Sequence, residues 1–236
     1  MDEQIIEISG CFCGPDGMGN GGYVSGLVAE AISGPAKVRL HAPTPLDTDI
    51  QLVRDASGAR LMDGEKMLVE GEPLGKPLDL DPMPTPPSDA LIEACRARFP
   101  SPSEHMAPRC FVCGPERDHA DALHICGGFD PEQARAADRW VPATDLAGED
   151  GLVATRYLWA ALDCPSYFGA GIGTAMALLA GMAARIVRHP HPGEQLSVTG
   201  WPIHSEGRKH HSGSVMHDAD GNVIAAARAL WVKVQA

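Results

Sequence analysis

Residues 21–32, with the sequence GGYVSGLVAEAI, decide how the first part of the chain folds. Apolar side chains recur there at the spacing of one helix face, at Val24, Leu27, Val28 and Ala31. Two glycines open the stretch, and Gly34 and Pro35 follow where a helix would end. We therefore predict one helix with a buried face.

Short strand patterns follow this helix. Partly alternating apolar segments occupy residues 37–40, 50–53, 60–62 and 66–69. Turn sequences separate them, with Asp55 to Gly58 and Asp63-Gly64 as the clearest. The first part of the chain is therefore predicted to be a helix followed by an antiparallel meander.

The second part of the chain repeats this plan. Residues 158–162 resemble a strand end that runs into a long helix, which His189-Pro190 would stop. The apolar stretch 170–186 is short of the roughly 20 apolar residues of a membrane span, so it is predicted to be a buried helix. Strand patterns follow at residues 195–203, 210–217 and 222–234, with an Asp218 to Gly221 turn between the last two. Two equivalent α+β modules are predicted.

A proline-rich segment separates the two parts. Its prolines are Pro73, Pro77, Pro82, Pro84, Pro86, Pro87, Pro100, Pro102 and Pro108. Such a density excludes regular strands. We predict modules at residues 1–80 and 109–236 and a linker at 81–108, in which residues 88–99 form a short helix capped by Ser88.

Composition restricts the partners. Asp and Glu outnumber Lys and Arg by 31 to 19, so no positive field covers the surface and nucleic acid is excluded. An anionic substrate such as CoA would need a local basic cluster, for which Arg208 and Lys209 are the candidates. A solvated loop is the alternative interpretation of these two residues.

The amino terminus and the cysteines indicate the compartment. Residues 1–4 are acidic and only a short apolar run follows, unlike a secretory signal or a transit peptide. Seven cysteines without such a signal favour reduced thiols. We expect a cytoplasmic protein that has no membrane partner.

Several motifs resemble one superfamily. Residues 20–27 (NGGYVSGL) are similar to the glycine turn that starts the first helix of acyl-CoA thioesterases with the hotdog fold, and residues 161–166 (ALDCPS) to the start of the second. Other matching segments are Cys110 to Pro115, Trp140 to Pro142, Gly207 to Lys209, Asp220-Gly221 and Ala229 to Val232. The chain thus resembles double-hotdog thioesterase-like proteins of bacteria, in which each half is a long helix wrapped by a curved antiparallel sheet.

The resemblance implies the hydrolysis of an acyl thioester such as an acyl-CoA. Hydrolysis needs a group that activates water and donors for the oxyanion. Asp163 is the candidate base and Ser166 a candidate assistant, although both are also residues that commonly cap helices. Gly21 and Gly22 would offer helix-start amides to the carbonyl, or would only permit close packing, and Tyr23 would face the substrate.

Other functions stay open. Related double-hotdog enzymes often carry a Gln in the last strand, and residues 225–231 here contain none, which favours a non-catalytic acyl-CoA binding protein as the alternative. A hydratase is disfavoured because no His lies between Asp163 and Arg188. A fused pair already provides a two-fold unit, so a further homo-oligomer stays open.

Two cysteines match part of the pattern of a zinc site. Cys110 and Cys113 have the spacing of half a zinc site, and the possible partners are His119, His124, Cys126, Cys11 and Cys13. Because only the first half of the pattern is present, the pair is interpreted as small buried side chains. The sequence prediction is therefore no metal and no cofactor.

Overall fold

One antiparallel sheet of eleven strands dominates the computed structural model, which describes residues 2–118 and 121–234. The first elements along the chain are β1 (Asp2–Glu7), α1 (Gly21–Glu30), β2 (Ala36–Leu40), β3 (Asp49–Asp55), β4 (Gly58–Asp63) and β5 (Lys66–Pro73). They are followed by α2 (Asp89–Ala97), β6 (Phe129–Asp130), β7 (Arg135–Trp140), α3 (Thr155–Gly169), β8 (Ala177–Ile186), β9 (Leu196–Glu206), β10 (Lys209–His217) and β11 (Val223–Lys233).

The strand order repeats itself about the centre of the sheet. The order is β1-β3-β4-β5-β2-β8-β11-β10-β9-β7-β6, and β2 and β8 pair antiparallel in the middle. Helix α1 precedes β2 to β5 just as α3 precedes β8 to β11. Each helix is thus followed by four strands with the same connectivity.

Helices α1 and α3 pack directly against each other, and glycine makes this approach possible. A Cβ placed on Gly26 would lie 2.4 Å from the Cα of Arg156, and one on Gly22 would lie 2.4 Å from the Cβ of Asp163. Arg156 and Glu30 also join the two helices through an ion pair of 2.6 Å. Side chains larger than hydrogen at these glycines would force the helices apart.

Helix α3 also lies against β9 without space for a side chain. A Cβ on Gly200 would lie 1.8 Å from the carbonyl oxygen of Pro165, which is backbone and has little freedom to move. We expect Gly200→Ala to lower the free energy of unfolding by about 1–3 kcal/mol or more, the usual range for overpacking. Urea unfolding measures this loss. Gly75→Ala is the control, since open space surrounds Gly75, and equal stability of the two variants would contradict the prediction.

Several predicted elements are confirmed. The first helix begins at Gly21 as predicted, and the four strand patterns after it are β2 to β5. The three strand patterns near the carboxyl terminus are β9 to β11. In the proline-rich segment, the Ser88 hydroxyl accepts a hydrogen bond of 3.2 Å from the Leu91 N–H and caps α2. The apolar face of α2 packs on Ala137 of β7.

The prediction for residues 158–186 is wrong about where the helix begins and ends. Residues 158–162 are helical, and residues 177–186, predicted as helix, form the central strand β8. Helix α3 ends before Gly171 and Gly173, whose φ angles of 65° and 66° are left-handed. The Ala- and Leu-rich sequence of β8 matches a helix period, but pairing with β2 and β11 on both sides overrides that preference.

Smaller differences concern the strands near the edges. Residues 123–128 are irregular, and Phe129 and Asp130 form the short strand β6, which pairs with β7. Strands β1 and β7 were not predicted, and each lies beside a long strand of its own half. Among the described residues, no helix is long and apolar enough to cross a membrane.

Candidate active site

A cavity of about 300 Å³ lies between the two helices and the centre of the sheet. The loop before α1, the middle of α3, and strands β8 and β11 all contribute to its wall. Polar and reactive side chains concentrate at one place, where the cavity is bordered by Asn20, His105, Cys110, Cys113, Asp163 and Cys164. This is the candidate active site.

Asp163 lies in the middle of α3, so the expectation that it begins or caps the helix is wrong; the N-cap position is Ala154. Its carboxylate reaches across to the start of α1. The Oδ2 atom accepts a hydrogen bond of 3.0 Å from the Asn20 side-chain amide and one of 3.0 Å from the Gly22 N–H. The Oδ1 atom is buried and has no partner among the described residues.

Burial raises the pKa of the Asp163 carboxyl to about 7. The hydrogen bonds from Gly22 and Asn20 act in the opposite direction, because they stabilise the ionised form. The side chain is only 2% exposed, so the penalty for charge is the larger effect. A carboxyl group in this environment can exist in either protonation state near neutral pH.

The first turn of α1 supplies hydrogen-bond donors beside this carboxylate. Asn20 caps the helix, since its side-chain oxygen accepts from the Tyr23 N–H at 2.9 Å. The Gly22 N–H is occupied by Asp163, whereas the Gly21 N–H has no acceptor among the described residues. Gly21 borders the cavity and directly precedes Gly22, whose N–H contacts the carboxylate.

Ser166 and Tyr23 do not border the cavity. The Ser166 hydroxyl donates to the Asp163 carbonyl at 2.6 Å and accepts from the Trp231 indole at 2.9 Å, so it joins α3 to β11. Tyr23 stacks on Phe12 with ring centroids 4.1 Å apart. Both side chains hold neighbouring elements together in this structure.

Only one of the two basic residues predicted to contact an anionic substrate borders the cavity. Arg208 is exposed and borders it, whereas Lys209 does not. The second basic residue on the cavity wall is Lys233 at the end of β11, whose carbonyl accepts from Arg208 at 3.4 Å. No sequence signal pointed to Lys233, because the contact depends on the turn between β9 and β10.

Asn20 and Cys164 were also not among the predicted site residues. Asn20 directly precedes the glycine pair and has the residue type of an N-cap, which is a signal that sequence reasoning could have used. Cys164 follows Asp163, and its thiol lies 3.7 Å from that of Cys110.

Of the histidines named as possible metal partners, His119 lies outside the described residues. His124 is half-buried, and its ring Nε2 atom lies 2.8 Å from the Asp118 carbonyl oxygen.

Three solved structures resemble the chain over nearly all of its length. A "putative thioesterase II" from Thermobifida fusca YX is 14% identical, with a TM-score of 0.64 over 99% of this chain and 94% of that one. A "putative thioesterase" from Novosphingobium aromaticivorans is 12% identical, with a TM-score of 0.64 over 99% and 96%. A protein of unknown function with a hotdog fold from Alicyclobacillus acidocaldarius is 12% identical, with a TM-score of 0.62 over 99% and 94%.

The chain has the hotdog fold. The resemblance predicted from the sequence motifs is thereby confirmed at the level of architecture. No protein-family model matches the sequence, and no curated protein matches it. In this hotdog fold, the candidate site lies where the start of α1 meets the middle of α3.

Proposed function

We propose that this chain is a tandem of two hotdog units that hydrolyses an acyl thioester such as an acyl-CoA, with Asp163 activating the water. The supporting observation is the Asp163 carboxylate itself. One of its oxygens is held by Asn20 and Gly22, and the other is buried at the cavity without a partner. A buried acceptor of this kind is costly unless a ligand or a water molecule fills the place.

The connectivity of the sheet supports the tandem interpretation. Helix α1 with β2 to β5 corresponds to α3 with β8 to β11, and the two sets meet at the β2–β8 pair. The site takes Asn20 and Gly22 from the first unit and Asp163 from the second. A single unit would therefore lack part of the site.

The proposed reaction uses residues from both hotdog units. A water molecule bound to Asp163 Oδ1 attacks the thioester carbonyl carbon and gives a proton to the carboxylate. The Gly21 N–H donates to the oxyanion that forms. Collapse breaks the carbon–sulfur bond, and the proton passes from Asp163 to the leaving thiolate, so the products are a carboxylic acid and a free thiol.

The remaining wall of the cavity fits the two ends of such a substrate. Apolar and aromatic side chains, including Leu40, Tyr167 and Trp231, line the cavity and can contact an acyl chain. The exposed Arg208 and the half-buried Lys233 also border it and can contact phosphates of the carrier. A local pair of cations is needed because the net charge of the chain is −12.

The direct test is the release of free thiol from a panel of short, medium, long and aromatic acyl-CoAs. Hydrolysis of at least one class is expected. Binding of an acyl-CoA without release of thiol from any of them would instead favour the alternative, an acyl-CoA binding protein. The absence of a Gln from β11, where residues 225–227 and 229 are buried alanines, is the observation that favours this alternative.

Removing the two cations is expected to weaken binding of the carrier. For Arg208→Ala combined with Lys233→Ala, we expect KM for an acyl-CoA to rise by about twofold to tenfold, since each exposed ion pair is worth at most about 1 kcal/mol. The same acyl group on N-acetylcysteamine, which lacks phosphates, should show no change. Lys209→Ala is the control, and an equal rise of KM in that variant would contradict the assignment.

A further inference from the structure

Three cysteines form a buried cluster within the candidate site. The sulfur atoms of Cys110, Cys113 and Cys164 all lie within 4.8 Å of one another, and all three side chains are buried. The first two come from the loop after α2, and the third comes from α3. Cys164 directly follows Asp163, yet the proposed hydrolysis does not use any of these thiols.

We propose that Cys110, Cys113 and Cys164 bind one zinc ion as thiolates. In a tetrahedral zinc site with bonds of about 2.3 Å, neighbouring sulfurs lie about 3.8 Å apart. The Cys110 and Cys164 sulfurs are 3.7 Å apart, close to that spacing. The remaining separations are at most 4.8 Å, so rotation of side chains within the existing loop can close the site.

The loop that carries the first two cysteines is built tightly around the sulfur of Cys110. The Val112 N–H donates to this sulfur at 3.4 Å, and the Asn20 side-chain amide donates at 3.7 Å. A Cβ on Gly114 would lie 2.6 Å from the Cys110 backbone nitrogen and oxygen, so this tight turn requires glycine. Donors of this kind orient a thiolate ligand and stabilise its charge.

His105 lies next to the cysteine cluster. Its Nε2 atom lies 3.5 Å from the sulfur of Cys113, and its Nδ1 atom accepts from the Ala107 N–H at 3.0 Å. Because Nδ1 accepts, the ring proton is on Nε2, which can donate to the Cys113 sulfur. The fourth coordination position of the zinc ion therefore faces the cavity, which His105 and all three cysteines border.

The chemistry of the three ligands favours a soft metal ion such as zinc. Soft thiolates favour zinc over magnesium or calcium, which prefer oxygen. Each thiol releases its proton to solvent as its zinc–sulfur bond forms, and the step needs no oxidant or reductant. All seven cysteines are free, so no disulfide occupies the site. Cys164 is the ligand that the sequence pattern did not reveal, since it lies 54 positions after Cys110.

Metal analysis of the whole chain tests the proposal. Protein purified with a reductant and without chelator, after growth with added zinc, should hold about one zinc ion per chain. Cys110→Ser and Cys164→Ser should each lose most of it. Cys95→Ser is the matched control, because Cys95 is also buried but belongs to the separate cluster under α2. Equal zinc content in Cys95→Ser and Cys164→Ser would overturn the proposal.

A second measurement uses the unaltered protein, in case the serine variants do not fold. Cobalt(II) added to metal-free protein should produce a thiolate-to-metal charge-transfer band and the visible bands of tetrahedral cobalt. Zinc should protect Cys110, Cys113 and Cys164 from alkylation, as mapped by mass spectrometry, while the exposed Cys11 reacts as before. Folded protein that takes up neither metal, or uniform alkylation with and without zinc, would show that the cluster does not bind zinc.

Discussion

Asp163→Asn is expected to lower kcat for thioester hydrolysis by at least about 100-fold, the lower range for loss of a positioned general base. The asparagine side chain can still accept from Asn20 and Gly22 through its oxygen, but its nitrogen would face the cavity and cannot take a proton from water. Binding of acyl-CoA should persist, because the lining of the cavity is otherwise unchanged. Thiol release and calorimetric binding, measured side by side, separate the two effects.

Asp130→Asn is the matched control for this experiment. Asp130 is also 2% exposed, but it lies at the edge of the sheet in β6 and does not border the cavity. This variant should lose stability, since Asp130 contacts Arg98 at 3.4 Å, and it should keep its turnover. Full activity in Asp163→Asn would rule out Asp163 as the base. That result would leave the zinc proposal unaffected, because zinc content is measured without any substrate.

Gly22→Ala is expected to damage both stability and activity. The new Cβ would lie 2.4 Å from the Asp163 Cβ and 2.8 Å from the Trp159 carbonyl oxygen. Helices α1 and α3 must then separate, which costs about 1–3 kcal/mol in unfolding free energy. The hydrogen bond from the Gly22 N–H to Asp163 would also break, so we expect turnover per folded molecule to fall about tenfold or more.

Gly26→Ala separates the effect on packing from the effect on the site. Its Cβ would lie 2.4 Å from the Arg156 Cα, so it forces the same two helices apart at a similar cost. Gly26 does not border the cavity or contact Asp163. Urea unfolding should therefore show similar losses of stability in the two variants. The measured kcat should fall further in Gly22→Ala than in Gly26→Ala. Identical kinetics in both would mean that the Gly22 amide does not contribute to the reaction.

Much of the architecture follows from the sequence because it depends on local patterns. The glycine-opened helix α1, the strands β2 to β5, and the hairpin of β10 and β11 each have apolar periodicity bounded by turn residues. Asp163, Gly21 and Gly22 could be selected as candidate site residues from their residue types and from the resemblance to hotdog proteins. For this helix and these strands, the preference of the segment and the final structure agree.

Other features were decided by contacts between distant parts of the chain. Strand β8 has a sequence that suits a helix, yet its two neighbours in the sheet, β2 and β11, supply backbone partners along both edges. Such pairing cannot be read from a local window, because the partner strands lie far away in the sequence.

The amino-acid sequence supplies the residue types that can perform chemistry, and the packing of distant elements brings some of them together. Asp163 and Gly22 are 141 positions apart, and they contact each other only because glycines let α1 approach α3 closely. In the same way, packing brings Cys164 to Cys110 and leaves Tyr23 and Ser166 outside the cavity. The apolar periodicity of a helix or strand shows which of its faces is buried. Which element packs on that face depends on how all the elements pack together.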